Sequence, residues 1–261
     1  MAFVGLVLLI VAVVLFFNYQ GQKNKLTNLL SAEAVTIENI KATAAAISDS
    51  IGVGSCREYV KVKGVIQCET PLLSELKQEP CVHYEMNVTR EYEETVTRTD
   101  SEGETHRETE RRSETISSNQ RSIHFQLQDN TGIIEVNPEE ANMETISILN
   151  EFRPGSSRGG LISFGNFSFA LGSSFGDTNT LGYRYQESIL PVGRQVFILA
   201  TASDESGTLT LEKPLNHNQT FLISLKNEEN LVQSAKSAQV YLLWGTVASV
   251  IIGAILILLG L

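Results

Sequence analysis

Tyr59 to Cys68 reads YVKVKGVIQC, in which Val60 and Val62 alternate with Lys61 and Lys63. A period of two sends successive side chains to opposite faces, the mark of a half-buried β-strand. The same period recurs along the chain. CVHYEMNV at 81–88 places Val82, Tyr84, Met86 and Val88 on one face and His83 and Glu85 on the other. SIHFQLQD at 122–129 turns Ile123, Phe125 and Leu127 inward, with His124 and Gln126 outward. IIEV at 133–136, QVFILATA at 195–202, TLTLEK at 208–213 and TFLISL at 220–225 follow. Turn signals separate them: Asp129-Asn-Thr-Gly132, Pro191-Val-Gly193, Asp204-Glu-Ser-Gly207 and Pro214. Short strands with such breaks predict a β-dominated α+β fold, an antiparallel sheet curled into a small barrel or sandwich over residues 55–230.

Two stretches interrupt the alternation. Residues 89–122 hold six basic and nine acidic side chains, with a turn at Asp100-Ser-Glu-Gly103. They read as a long, charged β-hairpin projecting from the domain. Two registers are nearly equal, one opposing Glu91 to Arg112 and the other Glu94 to Arg111. The arm is either a solvated face or a partner-docking surface, for which Arg90, Glu94, Arg111 and Arg112 are the candidate binding residues. Residues 154–182 carry seven glycines and Phe164, Phe167, Phe169 and Phe175. They read as a loop that lines the core or dips its phenylalanines into a membrane.

Outside the domain the composition changes. Ala2–Phe17, AFVGLVLLIVAVVLFF, has sixteen uncharged residues, thirteen of them Leu, Ile, Val or Phe. Leu242–Leu261, LLWGTVASVIIGAILILLGL, has twenty, twelve of those types. At roughly −0.3 to −0.6 kcal/mol for each such residue, either segment gains up to about 4 to 8 kcal/mol on entering a bilayer. Residues 1–19 and 238–261 therefore read as transmembrane anchors, the first at the short limit for a span. The first has neither a basic start nor a small-x-small cleavage site, which favours an uncleaved anchor over a signal peptide. In the second, Gly245, Ser249 and Gly253 recur every four residues, a spacing that admits another helix closely. Lys23, Lys25 and Lys236 flank the inner ends, so the positive-inside rule places the central domain on the cytoplasmic face of a two-pass protein. Between the first anchor and the sheet, residues 26–52 predict one amphipathic helical segment, with Leu30, Ala34, Ile37, Ile40, Ala44, Ile47 and Ile51 on a single stripe.

The net charge is −10 over 261 residues. That excess disfavours nucleic acid, whose binding needs cations to displace counterions. Cys56, Cys68 and Cys81 lack a CxxC pair or a Cys/His knuckle and read as free thiols, and His83, His106, His124 and His217 are scattered without an HExxH. His83 and His124 fall on polar strand faces, where a solvated imidazole is expected. There is no GxSxG elbow and no phosphate-cradling glycine motif. No catalytic residue, metal or cofactor is expected. The residues alone describe a membrane-tethered binding or scaffolding domain.

Gly64, Pro71-Leu-Leu-Ser74, Pro80-Cys-Val-His-Tyr84 with Arg90, Phe125-Gln-Leu-Gln-Asp129-Asn-Thr-Gly132 with Val136, and Gly182-Tyr-Arg-Tyr-Gln-Glu187 with Leu190, Gly193 and Val196 together resemble the GIDE domain. This is the central domain of membrane ubiquitin ligases of mitochondria and chloroplast envelopes, with bacterial relatives. The resemblance covers roughly residues 30–261 and extends to the anchor, domain, anchor layout. It implies a β-rich domain that senses or binds protein substrates. In the organelle ligases a zinc-binding RING finger follows the second anchor. No cysteine lies beyond Cys81 here, so no RING position carries over and ligase chemistry of that kind is not expected from these residues. The expected partners are the lipid bilayer, an unidentified protein, and a helix packed on the second anchor. E3 ligase-like activity and lipid binding stand as alternatives.

Overall fold

The computed structural model describes residues 2–99, 103–155, 161–165, 167–170 and 178–259. In chain order the elements begin with α1 (Ala2–Ser31), β1 (Glu33–Ala34), α2 (Ile37–Ile51), β2 (Arg57–Gln67), β3 (Leu72–Leu73), β4 (Pro80–Thr99) and β5 (Thr105–Ser122). Next come β6 (Phe125–Gln128), β7 (Ile133–Val136), β8 (Asn142–Glu144), β9 (Ile146–Pro154), β10 (Leu161–Phe164) and β11 (Phe167–Ala170). The last are β12 (Asn179–Pro191), β13 (Gln195–Ser203), β14 (Thr210–Glu212), β15 (Leu222–Ser224) and α3 (Glu228–Leu258). The chain forms two compact units, one of residues 1–65, 126–144 and 195–261, the other of residues 66–125 and 145–194.

The first unit is a barrel with two helical legs. Its strands run β2-β6-β7-β14-β13, and β13 pairs again with β2 to close the ring. Numbered within the ring, the order is 1-2-3-5-4-1, with the third and fifth strands parallel. This is the five-stranded Greek-key barrel of OB-type folds. The predicted alternation holds in four of the strands, where Val60, Val62, Leu127, Ile134, Val136 and Leu211 are buried; β13 instead is buried on both faces from Val196 to Ser203. Strand β15 extends the sheet beside β13, and β8 adds to it in parallel.

The 26–52 segment is not one amphipathic helix. Residues to Ser31 continue the first anchor, and the chain breaks at Ala32 before α2 begins. Leu30 and Ala34 are exposed, while Ile37, Ile40 and Ala44 form the buried stripe. The restart has a local cause. Thr36 caps α2 by accepting from Asn39 N–H at 3.3 Å, and Asp129 Oδ2 accepts from Ile37 N–H at 2.9 Å. Gly52 closes the helix at φ +117°, its N–H reaching Ser48 O at 2.9 Å.

The two long helices run antiparallel. An added Cβ on Gly5 would lie 2.7 Å from Gly253 O, so the backbones touch because neither residue has a side chain. Farther along, Gly245 faces Leu15, and Gln239 Nε2 meets Tyr19 Oη at 3.5 Å. Both helices are long and apolar enough to cross a membrane, and most of their apolar surface is exposed.

The second unit is a half-barrel. Its sheet has the order β3-β4-β12-β9, and β5 pairs with β4 along the same edge as β3. Leu76, Met86, Val88, Leu149, Ile162, Phe164, Phe167, Tyr183 and Tyr185 pack on one face of it. The 154–182 stretch is therefore not a plain loop. Within it β10 and β11 form a hairpin that buries Phe164 and Phe167 and leaves Phe169 exposed, and β12 begins at Asn179. Phe175 lies outside the described residues.

Candidate functional site

The half-barrel's second face is polar, and strand alternation dictates why. Where Met86 and Val88 turn to the core, Glu85 and Asn87 turn away; on β12, Tyr185 and Glu187 go in while Gln186 and Ser188 go out. Register then assembles rows across all four strands. Asn150, Gln186, Asn87 and Ser118 stand side by side, and Ser147, Ser188, Glu85 and Gln120 form the next row. All of these but Asn150 line an open cavity of about 590 Å³. Ser118, Gln120, Gln186 and Ser188 make no side-chain hydrogen bond to other described residues. Arg184 bounds the rows, donating to Glu91 Oε1 at 2.7 Å and to Asn150 Oδ1 at 3.3 Å. The trough thus offers neutral donors and acceptors with two carboxylates, Glu85 at the surface and the buried Glu187, a surface suited to a polar, extended ligand.

Two buried charges hold the trough's sheet in shape. Glu187, 2% exposed, accepts from Ser74 Oγ at 2.9 Å, Leu76 N–H at 2.7 Å and Lys77 N–H at 2.8 Å. It therefore pins the 74–79 turn to β12. Arg90 is 2% exposed, and its fork donates to Thr180, Thr178 and Glu114 at 2.7 to 2.9 Å while stacking over Tyr92. Its donors are used within the unit, which removes Arg90 from any docking surface.

The other arm candidates are at the surface. Arg112 reaches Glu94 at 3.0 Å and Glu110 at 3.1 Å, and Arg111 reaches Glu93 at 3.3 Å. Neither anticipated register occurs. Tyr92 opposes Arg112 and Glu93 opposes Arg111, midway between the two, and a bulge at Val88/Thr89 sets the offset. The candidate helix-packing residues Gly245, Ser249 and Gly253 lie on α3, where Gly245 and Gly253 face α1 of the same chain.

His83 is not solvated. It is 1% exposed, with Nδ1 at 2.8 Å from Ser122 Oγ and Nε2 buried 3.4 Å from Glu85 Oε1 without making a hydrogen bond. Burial lowers its pKa, and the nearby Glu85 carboxylate only partly offsets this. Burial also pushes the Cys81 thiol up to about 11 and raises that of Cys56. Neither is a ready nucleophile at neutral pH. Among the described residues no three His, Cys, Asp or Glu side chains gather in one place.

The trough was missed in the sequence because its residues are ordinary polar strand residues. Only the pairing of β12 with β4 and β9 reveals them as rows.

A β-barrel and half-barrel between two long apolar helices define the class. The sequence model of a family described as GIDE, E3 ubiquitin ligase, matches residues 93–259, and the chain belongs to that family. No curated protein matches the chain, and no solved structure does.

Proposed function

We propose that this chain is a two-pass membrane protein whose GIDE domain binds protein partners at the cytoplasmic face, without chemistry of its own. The observation that carries the reading is the trough: two rows of hydrogen-bonding side chains, several without partners, on a rigid sheet face. Ser118, Gln120 and Gln186 are exposed and Ser188 is half-buried, so their donors and acceptors are open to a partner's polar groups. The membrane setting is supported by the exposed apolar flanks of α1 and α3, which in water would be a large aggregation-prone surface. Lys23, Lys25 and Lys236 at the inner ends favour the cytoplasmic side.

Photo-crosslinkers placed at Gln186 and Ser118 in native membranes test the reading. Protein adducts that disappear when Asn87 is changed to Arg are expected; adducts to lipid alone would refute it. Protease accessibility in sealed vesicles reads the side of the membrane.

The family's description favours a second reading, in which the trough presents a target for ubiquitin transfer. Transfer from a charged conjugating enzyme by the purified chain alone would support this and overturn the non-catalytic proposal.

A further inference from the structure

Both long helices continue past their apolar stretches before reaching the barrel. On α1 the apolar run ends at Phe17, Tyr19 follows, and the first residue buried in the barrel's outer core is Leu29. On α3 the corresponding residues are Tyr241 and Leu231. Each leg therefore spans ten residues, about 15 Å of helix. The two counts are independent, and the Tyr19–Gln239 contact shows the legs to be level. Polar side chains cover the legs: Gln20, Lys23 and Asn24 on one, Gln233, Ser234 and Lys236 on the other, all exposed.

The tops of the legs are fixed to the barrel. Leu29 and Leu231 pack with Phe197, Leu199 and Leu222. Asn28 Nδ2 donates to Asn218 O at 2.7 Å, and Lys61 Nζ donates to Leu29 O at 3.1 Å and to Glu228 Oε1 at 2.6 Å. Lys61 on β2 thus ties both helices to one barrel strand.

From this we infer that residues 19–29 and 231–241 form a rigid two-helix stalk that holds the barrel off the bilayer, in the aqueous layer. The inference rests on the two-pass reading proposed above. A headgroup layer is roughly 5 to 7 Å thick on each side of the hydrocarbon. Measured to the lowest contact with the barrel's sheet, Lys25 with Glu144, the free leg is about 9 Å and leaves the sheet about 2 to 4 Å clear of the headgroups. Lys23 and Lys236, four and five residues beyond the tyrosines, sit at headgroup depth. Lys25, Lys61 and Lys226, nearer the barrel, are paired with Glu144 or Glu228.

The chain's single tryptophan provides the test. The full chain is reconstituted in phosphatidylcholine vesicles with or without brominated acyl chains, and separately with a headgroup-attached nitroxide. Three forms are compared: the native chain, and Asn24→Trp and His217→Trp, each carrying Trp244→Phe. His217 is exposed and adjoins Asn218 at the top of the stalk. Bromine is expected to quench Trp244 severalfold and the nitroxide to quench Asn24→Trp, while His217→Trp is unaffected by either. Quenching of His217→Trp by the nitroxide, with Trp244 still quenched by bromine, overturns the stand-off and leaves the two-pass reading intact. An unquenched Trp244 removes the two-pass reading, and the stalk with it. Asn216→Trp repeats the measurement should His217→Trp fold poorly.

Discussion

Replacing Glu187 by Gln changes one atom and should loosen one turn. The carboxylate is buried and accepts three hydrogen bonds, one on Oε1 from Leu76 N–H and two on Oε2 from Ser74 Oγ and Lys77 N–H. An amide supplies one acceptor and one donor group. Whichever way it is turned, at least one backbone N–H faces an NH₂ and loses its partner. Hydrogen bonds to charged groups contribute about 1.5 to 3 kcal/mol each, and a buried donor left unpaired costs about 1 to 3 kcal/mol. We expect Glu187→Gln to destabilise the 74–79 turn by about 2 to 3 kcal/mol, a factor of roughly 30 to 140 in its opening equilibrium at about 1.4 kcal/mol per tenfold. Hydrogen exchange followed by mass spectrometry reads this directly, since the amides of Leu76 and Lys77 should exchange faster by that factor while those of α2 do not change. Unaltered protection at residues 76 and 77 would show that the carboxylate does not hold the turn.

Three further perturbations test other parts of the fold. Asp129 is subject to burial, which raises its pKa, but the hydrogen bonds from Ile37 N–H, Thr131 and Gly132 N–H outweigh this and hold it below the ordinary carboxylate range. A depressed folded pKa stabilises above the unfolded value and is lost as pH falls through the folded one, so the α2 junction should loosen only below about pH 4, and Asp129→Asn should remove that dependence, as read by exchange of the Ile37 amide. His83 has a folded pKa lowered by burial, so the unfolded chain takes up the proton first and stability should decline as pH falls below about 6.5; a denaturant midpoint in Glu85→Gln that falls more steeply over this range than in the parent would check the sign, because the carboxylate favours the imidazolium. Gly5→Ala would put a methyl 2.7 Å from Gly253 O, whereas Gly21 has nothing within 4 Å of the same added atom. Heat resistance in detergent should therefore drop for Gly5→Ala by about 1 to 3 kcal/mol, and Gly21→Ala should be neutral or stabilising by up to about 1 kcal/mol.

Much of the fold was legible because it depends on periodicity. Strands β2, β6, β7 and β14 follow apolar alternation in the sequence, β13 is a continuous apolar run buried on both faces, and a barrel is what such short strands can close into. The apolar ends were equally plain. Less legible was whatever depends on a partner distant in sequence. Arg90 sits in a charge-rich run that reads as solvated, yet Thr178 and Thr180 lie 88 and 90 positions away and engulf its guanidinium. His83 was misread for the same reason, since alternation gives the face of a strand but not what covers that face. The break after α1 was hidden by coincidence, because Leu30 and Ala34 continue the spacing of the α2 stripe although a turn intervenes.

The hairpin register shows how local such failures can be. Pairing Glu91 with Arg112 and pairing Glu94 with Arg111 each oppose unlike charges, and nothing in the arm's own composition separates the two. The structure takes the register between them, in which Glu93 faces Arg111 directly and Glu94 reaches Arg112 on the diagonal. Exposed ion pairs contribute only about 0.2 to 1 kcal/mol each, too little to choose an alignment on their own. The choice is made at the base of the arm, where β4 is already committed to β12 on one side and β5 must bring Ser118 opposite Asn87 and Gln120 opposite Glu85 on the other. The bulge at Val88/Thr89 then shifts the remaining pairs by one residue. Carried outward unchanged, the trough's register would oppose Glu94 to Arg111; the bulge moves the arm off it by one residue, and the surface ion pairs follow the sheet instead of directing it.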